Sequence, residues 1–212
     1  MKYFPIIEYD KKIVLCGYSG AGKSTLLDYF IKNIAKSKLN SVIVDTTSKF
    51  SHRKNIRYKG KTKCKYANPN SVCIKIQTEL DLEKIIKNIN DKDNTPMLLI
   101  VDEIDQYTDT HSLMPETSLF FQQGRNYDHG GIFSIRQIGR LNKQILSNSQ
   151  ILILFKIYNK NDIDYLTSAI GIDVSDLVYD LKPHEFYIVD LTNSIIIGKY
   201  ILNKGDLVAL SG

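Results

Sequence analysis

Short apolar runs alternate along the chain with segments whose apolar residues recur every three or four positions, the patterns of buried strands and amphipathic helices. The run Ile13–Cys16, bounded by lysines and a glycine-rich turn, predicts a first buried strand. Leu26, Leu27, Phe30, Ile31 and Ile34 then share one helical face and predict a helix to about Lys36. Ser41–Asp45 predicts a second strand and Val72–Ile76 a third. Leu82, Ile85, Ile86 and Ile89 predict a helix over Asp81–Ile89. Pro96 introduces Met97–Val101, the most apolar strand of the set. A helix is predicted over Glu116–Tyr127, then strands at Ile132–Ile135 and Ile151–Phe155 with a helix near Leu141–Leu146 between them. Two short helices are predicted over Asp162–Ile170 and Val174–Leu181. Phe186–Asp190 and Ile195–Tyr200, on either side of Thr192-Asn193-Ser194, predict a C-terminal β-hairpin.

Strands that are apolar throughout, alternating with helices, predict an α/β fold: a mainly parallel sheet with helices on both faces. With 212 residues and no long linker or repeat, one domain over 1–212 is expected. Hydrophobic content of 43% and charged content of 24% are those of an ordinary globular protein. No apolar run approaches ~18 residues, so no membrane insertion is expected. The N-terminal residues, broken by Pro5 and acidic side chains, do not read as a signal peptide. Cys16, Cys64 and Cys73 lack zinc-site spacing and fit a reducing compartment, with Cys16 read as a small core residue.

Charge changes the picture at one place. Lys49 to Lys65 carries eight Lys or Arg and no acid, which leaves 28 − 8 = 20 basic residues against 23 acidic elsewhere. The basic character is therefore local, and Phe50, Tyr58 and Tyr66 interleave with it. Cations can neutralise phosphates and rings can stack on bases, so nucleic acid is the partner this stretch suggests; a solvated loop is the alternative.

The candidate chemistry starts at Gly17-Tyr18-Ser19-Gly20-Ala21-Gly22-Lys23-Ser24, a complete G-x-x-x-x-G-K-[ST] match between a predicted strand and a predicted helix. Glycines let backbone N–H groups turn inward around phosphates, Lys23 reaches the β- and γ-phosphates, and the Ser24 hydroxyl ligates Mg²⁺. Thr25 is placed for the α-phosphate. The expected ligand is ATP with Mg²⁺. Asp102-Glu103, directly after the strand Met97–Val101, puts two carboxylates where open α/β sheets bind ligands. Asp102 is expected to hold the Mg²⁺ shell and Glu103 to deprotonate an attacking water. Asp105 reads as a helix cap or surface charge, and Tyr127 and His129 as packing or solvent-facing groups. Arg125, in Gly124-Arg125-Asn126, is a candidate for acting in trans on a neighbouring subunit's γ-phosphate. In Ser134-Ile135-Arg136-Gln137, a polar side chain at the strand end is a candidate γ-phosphate sensor.

Together these residues resemble the FtsK–HerA superfamily of P-loop ATPases, and within it the viral genome-packaging ATPases of icosahedral viruses with an internal membrane. The resemblance covers most of the chain: GYSGAGKST, MLLIVDE, GRNYDHGGIFSIRQ, NSQILILFKIYNKNDIDYL and FYIVDLTNSIIIGKY. It implies a RecA-like P-loop NTPase fold and a ring, hexameric or pentameric, that pumps double-stranded DNA into a capsid. A capsid vertex protein is then a further partner, and the host cytoplasm or the virion the location. By position the resemblance makes Arg125 the trans-acting arginine. For the sensor, spacing favours Arg136 and residue type favours Gln137. Three rival readings remain: a nucleoside or nucleotide kinase, which needs an acceptor pocket and a lid; a Zot-like phage assembly ATPase, which normally carries a membrane segment; and a non-enzymatic nucleotide-gated switch, which would not need Glu103.

Overall fold

Every strand of the computed structural model, which describes residues 10–37, 39–45, 56–59, 68–91, 96–203 and 205–210, belongs to one sheet. In chain order the elements are β1 (Lys12–Cys16), α1 (Lys23–Ser37), β2 (Ser41–Val44), β3 (Ile56–Lys59), β4 (Asn68–Ile74), α2 (Glu79–Asn90), β5 (Leu98–Val101), α3 (Pro115–Gln123), β6 (Gly130–Ser134), α4 (Lys143–Ser147), β7 (Ile151–Leu154), α5 (Lys160–Ile170), α6 (Ser175–Val178), β8 (Glu185–Asp190), β9 (Ile195–Asn203) and β10 (Asp206–Leu210). The spatial order is β10-β9-β8-β7-β1-β6-β5-β2-β4-β3. From β7 to β3 all neighbours are parallel, whereas β8, β9 and β10 add on as an antiparallel meander. The expected mainly parallel α/β sheet, covered on both faces, is thus observed.

The central strands are buried on both faces, which is why their sequences are runs rather than alternations. Successive side chains point to opposite faces. Ile13 and Leu15 pack with Leu26, Leu27, Phe30, Ile31 and Ile34 of α1 on one side. Val14 and Cys16 join Leu99, Val101 and Phe133 on the other, beneath α2, α3, α4 and α5. There the rings of Phe120 and Phe121 both pack on Phe133. Each such fully buried aliphatic or aromatic side chain contributes about 1.5–3 kcal/mol.

Helix starts are set locally and across the fold. Thr78 and Asp81 exchange backbone-to-side-chain bonds at the start of α2, a capping box. Glu83 of α2 accepts from the Glu116 and Thr117 N–H groups at 2.6 and 3.0 Å, which satisfies the start of α3 from a neighbouring helix.

Several elements differ from the sequence expectation, among them α6, expected over Val174–Leu181, and β4, expected over Val72–Ile76. The predicted helix Glu116–Tyr127 ends at Gln123 and tightens to a 3₁₀ turn over Gly124–Tyr127. The closing hairpin has a third strand, β10, whose apolar run Leu207–Leu210 is left largely exposed. The basic stretch Lys49–Lys65 contains β3, an edge strand on which cations are well tolerated. The remainder of that stretch lies outside the described residues.

Register places the site. Val101 pairs with Phe133, and Leu15 pairs with Ser134. The acids after β5, the hydroxyl closing β6 and the loop after β1 therefore meet at one edge. The packing under this edge leaves no room at Gly131. A Cβ there would run into the Phe133 ring and lie 2.9 Å from the Leu99 carbonyl oxygen. Gly131→Ala is expected to destabilise the fold by about 1–3 kcal/mol, read as a lower denaturant midpoint with unchanged slope.

Candidate active site

The loop after β1 is shaped by left-handed glycines: Gly17 (φ 151°), Gly20 (φ 89°) and Gly22 (φ 114°). Gly17 also has no space for a side chain, since a Cβ would sit 2.6 Å from the Phe155 Cβ. Lys23 is buried, and its Nζ donates to the Gly17 and Tyr18 carbonyl oxygens at 2.6 and 2.9 Å. Burial lowers the Lys23 pKa, while Cys16 and the carboxylates Asp102, Asp105 and Glu103 pull it up. Burial holds the Cys16 thiol up at about 12, so it stays neutral at pH 7 and the carboxylates are the effective partners. Ser19, Gly20 and Gly22 to Thr25 line an open cavity of about 260 Å³. Ala21 is buried beneath the loop, and the ring of Tyr18 packs against Tyr158 with centroids 4.8 Å apart.

Asp102 and Glu103 close this cavity from β5, and Ser134 and Arg136 close it from β6. The Ser134 hydroxyl donates to Asp102 Oδ1 at 2.6 Å and accepts the Glu103 backbone N–H at 2.9 Å. Asp102 is buried, and Glu103 stands in the left-handed region at φ 57°, starting a 3₁₀ turn over Ile104–Gln106. The Gln106 side-chain amide donates to the Glu103 carboxylate.

Asp105 departs from expectation: it is neither a surface charge nor a helix cap. It is buried, and its two oxygens accept the backbone N–H groups of Arg136 (2.8 Å) and Gln137 (3.1 Å). Between the sensor candidates, Arg136 lines the cavity and Gln137 does not. His184 also lines the cavity, on the flank away from the acids, and no sequence motif pointed to it.

Arg125 is placed at the other edge of the sheet. It sits just before β6, where the Gly131 N–H bonds the Lys11 carbonyl, and its Nε lies 3.3 Å from Asp10 Oδ2. The length of β1, roughly 13 Å, separates it from its own loop. Its side chain is 61% exposed and open to another molecule. The loop, Asp102, Glu103 and Arg136 are thus assembled within one chain, and Arg125 is not.

Among the described residues no group of three or more His, Cys, Asp or Glu is placed to hold a metal. Mg²⁺ keeps several waters and is bound by one or two protein oxygens together with substrate phosphates, so it does not require such a group. The donors on the cavity wall, the Ser24 hydroxyl and the Asp102 carboxylate, are of this hard oxygen type.

Comparison with known proteins gives a consistent fold. Residues 11–106, rather less than half the chain, match the family model described as CobW/HypB/UreG, nucleotide-binding domain. That span holds both the phosphate loop and the acids after β5. No curated protein matches the sequence. Among solved structures, the chain is similar to B204, the DNA-packaging ATPase of Sulfolobus turreted icosahedral virus, with TM-score 0.76 and 20% identity over 90% of this chain and 97% of that one. It is similar to the genome packaging NTPase B204 of Sulfolobus turreted icosahedral virus 2 in complex with AMPPCP, with TM-score 0.73 and 21% identity over 89% and 96%. It is also similar to EssC (ATPases 2 and 3) of Geobacillus thermodenitrificans, with TM-score 0.59 and 15% identity over 85% of this chain and 38% of that one. At these identities the likeness establishes a P-loop NTPase fold.

The anchor of Arg125 has a measurable signature. Lys12 is buried beside it, its ammonium 5.7 Å from the Phe120 ring centroid, and its pKa falls from 10.5 to about 8. Burial is the main cause, Arg125 adds to it and Asp10 opposes it. Between pH 8 and 10.5 the unfolded chain binds the extra proton, so stability rises with pH across that window, and the cost stands in full below it. Lys12→Met is expected to be more stable than its parent at pH 7 by up to about 3 kcal/mol, an advantage that shrinks above pH 8 in paired melts.

Proposed function

We propose that this chain is an ATP-hydrolysing motor that moves double-stranded DNA, working as a ring of five or six copies that loads a viral genome into a capsid. The observation that carries the hydrolytic part is the tie through Ser134. It holds Asp102 by its carboxylate and Glu103 by its backbone, on the wall of the cavity that Lys23 and Ser24 also line.

In this reading the loop N–H groups and Lys23 hold the β- and γ-phosphates. Ser24 and Asp102 are the residues that would hold Mg²⁺, whose charge would offset that of the phosphates. Glu103 takes a proton from the water that attacks the γ-phosphorus, and the bond to the β,γ-bridging oxygen breaks as ADP forms. Arg136, on the same wall, senses the γ-phosphate. Arg125 acts on the site of the next subunit, since its own loop is out of reach. The assembly is incomplete as a monomer for that reason.

The cargo rests on two supports. One is the likeness in fold and length to a DNA-packaging ATPase. The other is the basic stretch Lys49–Lys65, whose cations suit a phosphate backbone and therefore any sequence. A capsid vertex protein is the natural docking partner, and host cytoplasm or virion the setting. Among the described residues no helix is long and apolar enough to cross a membrane. The chain works as one ATPase unit in this reading.

Glu103→Gln is expected to retain ATP binding while turnover falls by about 10²–10⁴-fold, measured by single-turnover hydrolysis; unchanged turnover removes Glu103 as the base. Wild-type turnover is expected to rise with double-stranded DNA and to lose that stimulation as salt increases. A phosphate acceptor that raises turnover in place of DNA would instead establish the kinase reading. In mixtures of Arg125→Ala and Lys23→Ala subunits, activity is expected to depend on which neighbour carries which defect. Simple additive loss would place the arginine in cis.

A further inference from the structure

The flank of the cavity opposite the acids is closed by a residue that the hydrolytic reading does not use. His184 precedes β8, and β8 runs antiparallel to β7, so its first residues stand at the same edge as the phosphate loop. Sheet order then separates two flanks. Towards β6 and β5 lie Ser134, Arg136, Asp102 and Glu103, and towards β8 lies His184. A triphosphate whose γ-phosphate meets the acids extends its α-phosphate and ribose the other way, towards His184.

His184 is built into this position. Its backbone N–H donates to the Ala21 carbonyl at 2.9 Å, inside the phosphate loop. Its carbonyl accepts the Leu202 N–H at 3.3 Å, which ties it to β9. The imidazole lies against Gly22, where an added Cβ would come within 2.8 Å of Nδ1. Its φ of 68° is in the left-handed region, a conformation that persists in a non-glycine residue only where the surroundings hold it. The side chain lines the cavity.

We propose that His184 is the nucleoside-side contact of this site, its imidazole donating a hydrogen bond to the α-phosphate of a bound adenosine nucleotide. The proposal rests on the reading that the loop binds such a nucleotide. Because the contact lies away from the γ-phosphate, it serves AMP, ADP and ATP alike. Lys23 and Arg136 distinguish the number of phosphates, whereas His184 does not.

The test measures AMP, ADP and ATP binding by calorimetry to the full chain and to His184→Gly and His184→Asn. Glycine takes the left-handed conformation without strain, so His184→Gly keeps the turn and removes only the imidazole. It is expected to melt no lower than wild type and to lose about 10-fold or more in affinity for all three nucleotides, the loss of one hydrogen bond to a charged group. Asparagine also tolerates this conformation and carries a donor, so His184→Asn is expected to recover part of the loss. Unchanged affinities, or a loss confined to ATP, overturn the proposal. Should the glycine variant melt lower, site-resolved diethylpyrocarbonate modification of the wild type decides. Protection of His184 by AMP supports the contact, and equal modification with and without AMP overturns it. If the wild type binds none of the three nucleotides, the nucleotide reading itself fails, a result distinct from failure of the His184 contact.

Discussion

The acidic end of β5 depends on one hydroxyl. The Ser134 hydroxyl donates a hydrogen bond to Asp102 and accepts one from the Glu103 N–H, so the two residues that follow one strand are fixed by the last residue of its neighbour. Buried carboxylates are costly unless hydrogen-bonded, and Asp102 is buried. The tie works only because β5 and β6 are parallel and in the register that pairs Val101 with Phe133. A slip of one residue would turn the Ser134 side chain to the other face of the sheet. Register here rests on apolar packing, above all Phe120 and Phe121 against Phe133 of β6, so the geometry of the polar site is a consequence of the core beneath it.

Asp105 extends the same logic to the loop after β6. Its two oxygens take two successive backbone N–H groups there, which leaves the Arg136 side chain to face the cavity. The segment after β5 and the segment after β6 are thus joined twice, once by Ser134 and once by Asp105, and move together if either moves. The electrostatics agree with this compactness. Lys23 is a buried ammonium whose charge is supported by Asp102, Asp105 and Glu103, one of them the clamp of the loop after β6.

Much of the fold was legible because buried parallel strands and amphipathic helices leave patterns within ten or fifteen residues. The phosphate loop and Asp102-Glu103 were legible for a related reason: their chemistry is carried by contiguous residues. What escaped has long-range causes. Asp105 reads as a surface acid until a loop 31 residues away supplies its partners. Nothing near Ser134 in sequence says that its partner is Asp102, 32 positions earlier. That Arg136 and not Gln137 lines the cavity follows from the path of the clamped loop, which residue type does not disclose. His184 meets the loop only because β8 reverses direction, and reversal is a topological fact. β3 carries no continuous apolar run, which an edge strand does not need, and so it left no pattern to read.

The two edges of the sheet also belong to one argument. β1 carries Lys12 at its start and delivers the phosphate loop at its end, five residues later. Lys12 is buried beside Arg125, and Asp10 just before it pairs with the same arginine. One rigid, fully buried strand therefore lies between the loop that meets a chain's own phosphates and the arginine that it presents outward. Such strands do not bend independently at their two ends, because a close-packed interior transmits displacement instead of absorbing it. On the proposed trans role of Arg125, β1 is the element that would join each subunit's loop to the arginine it offers to the next site.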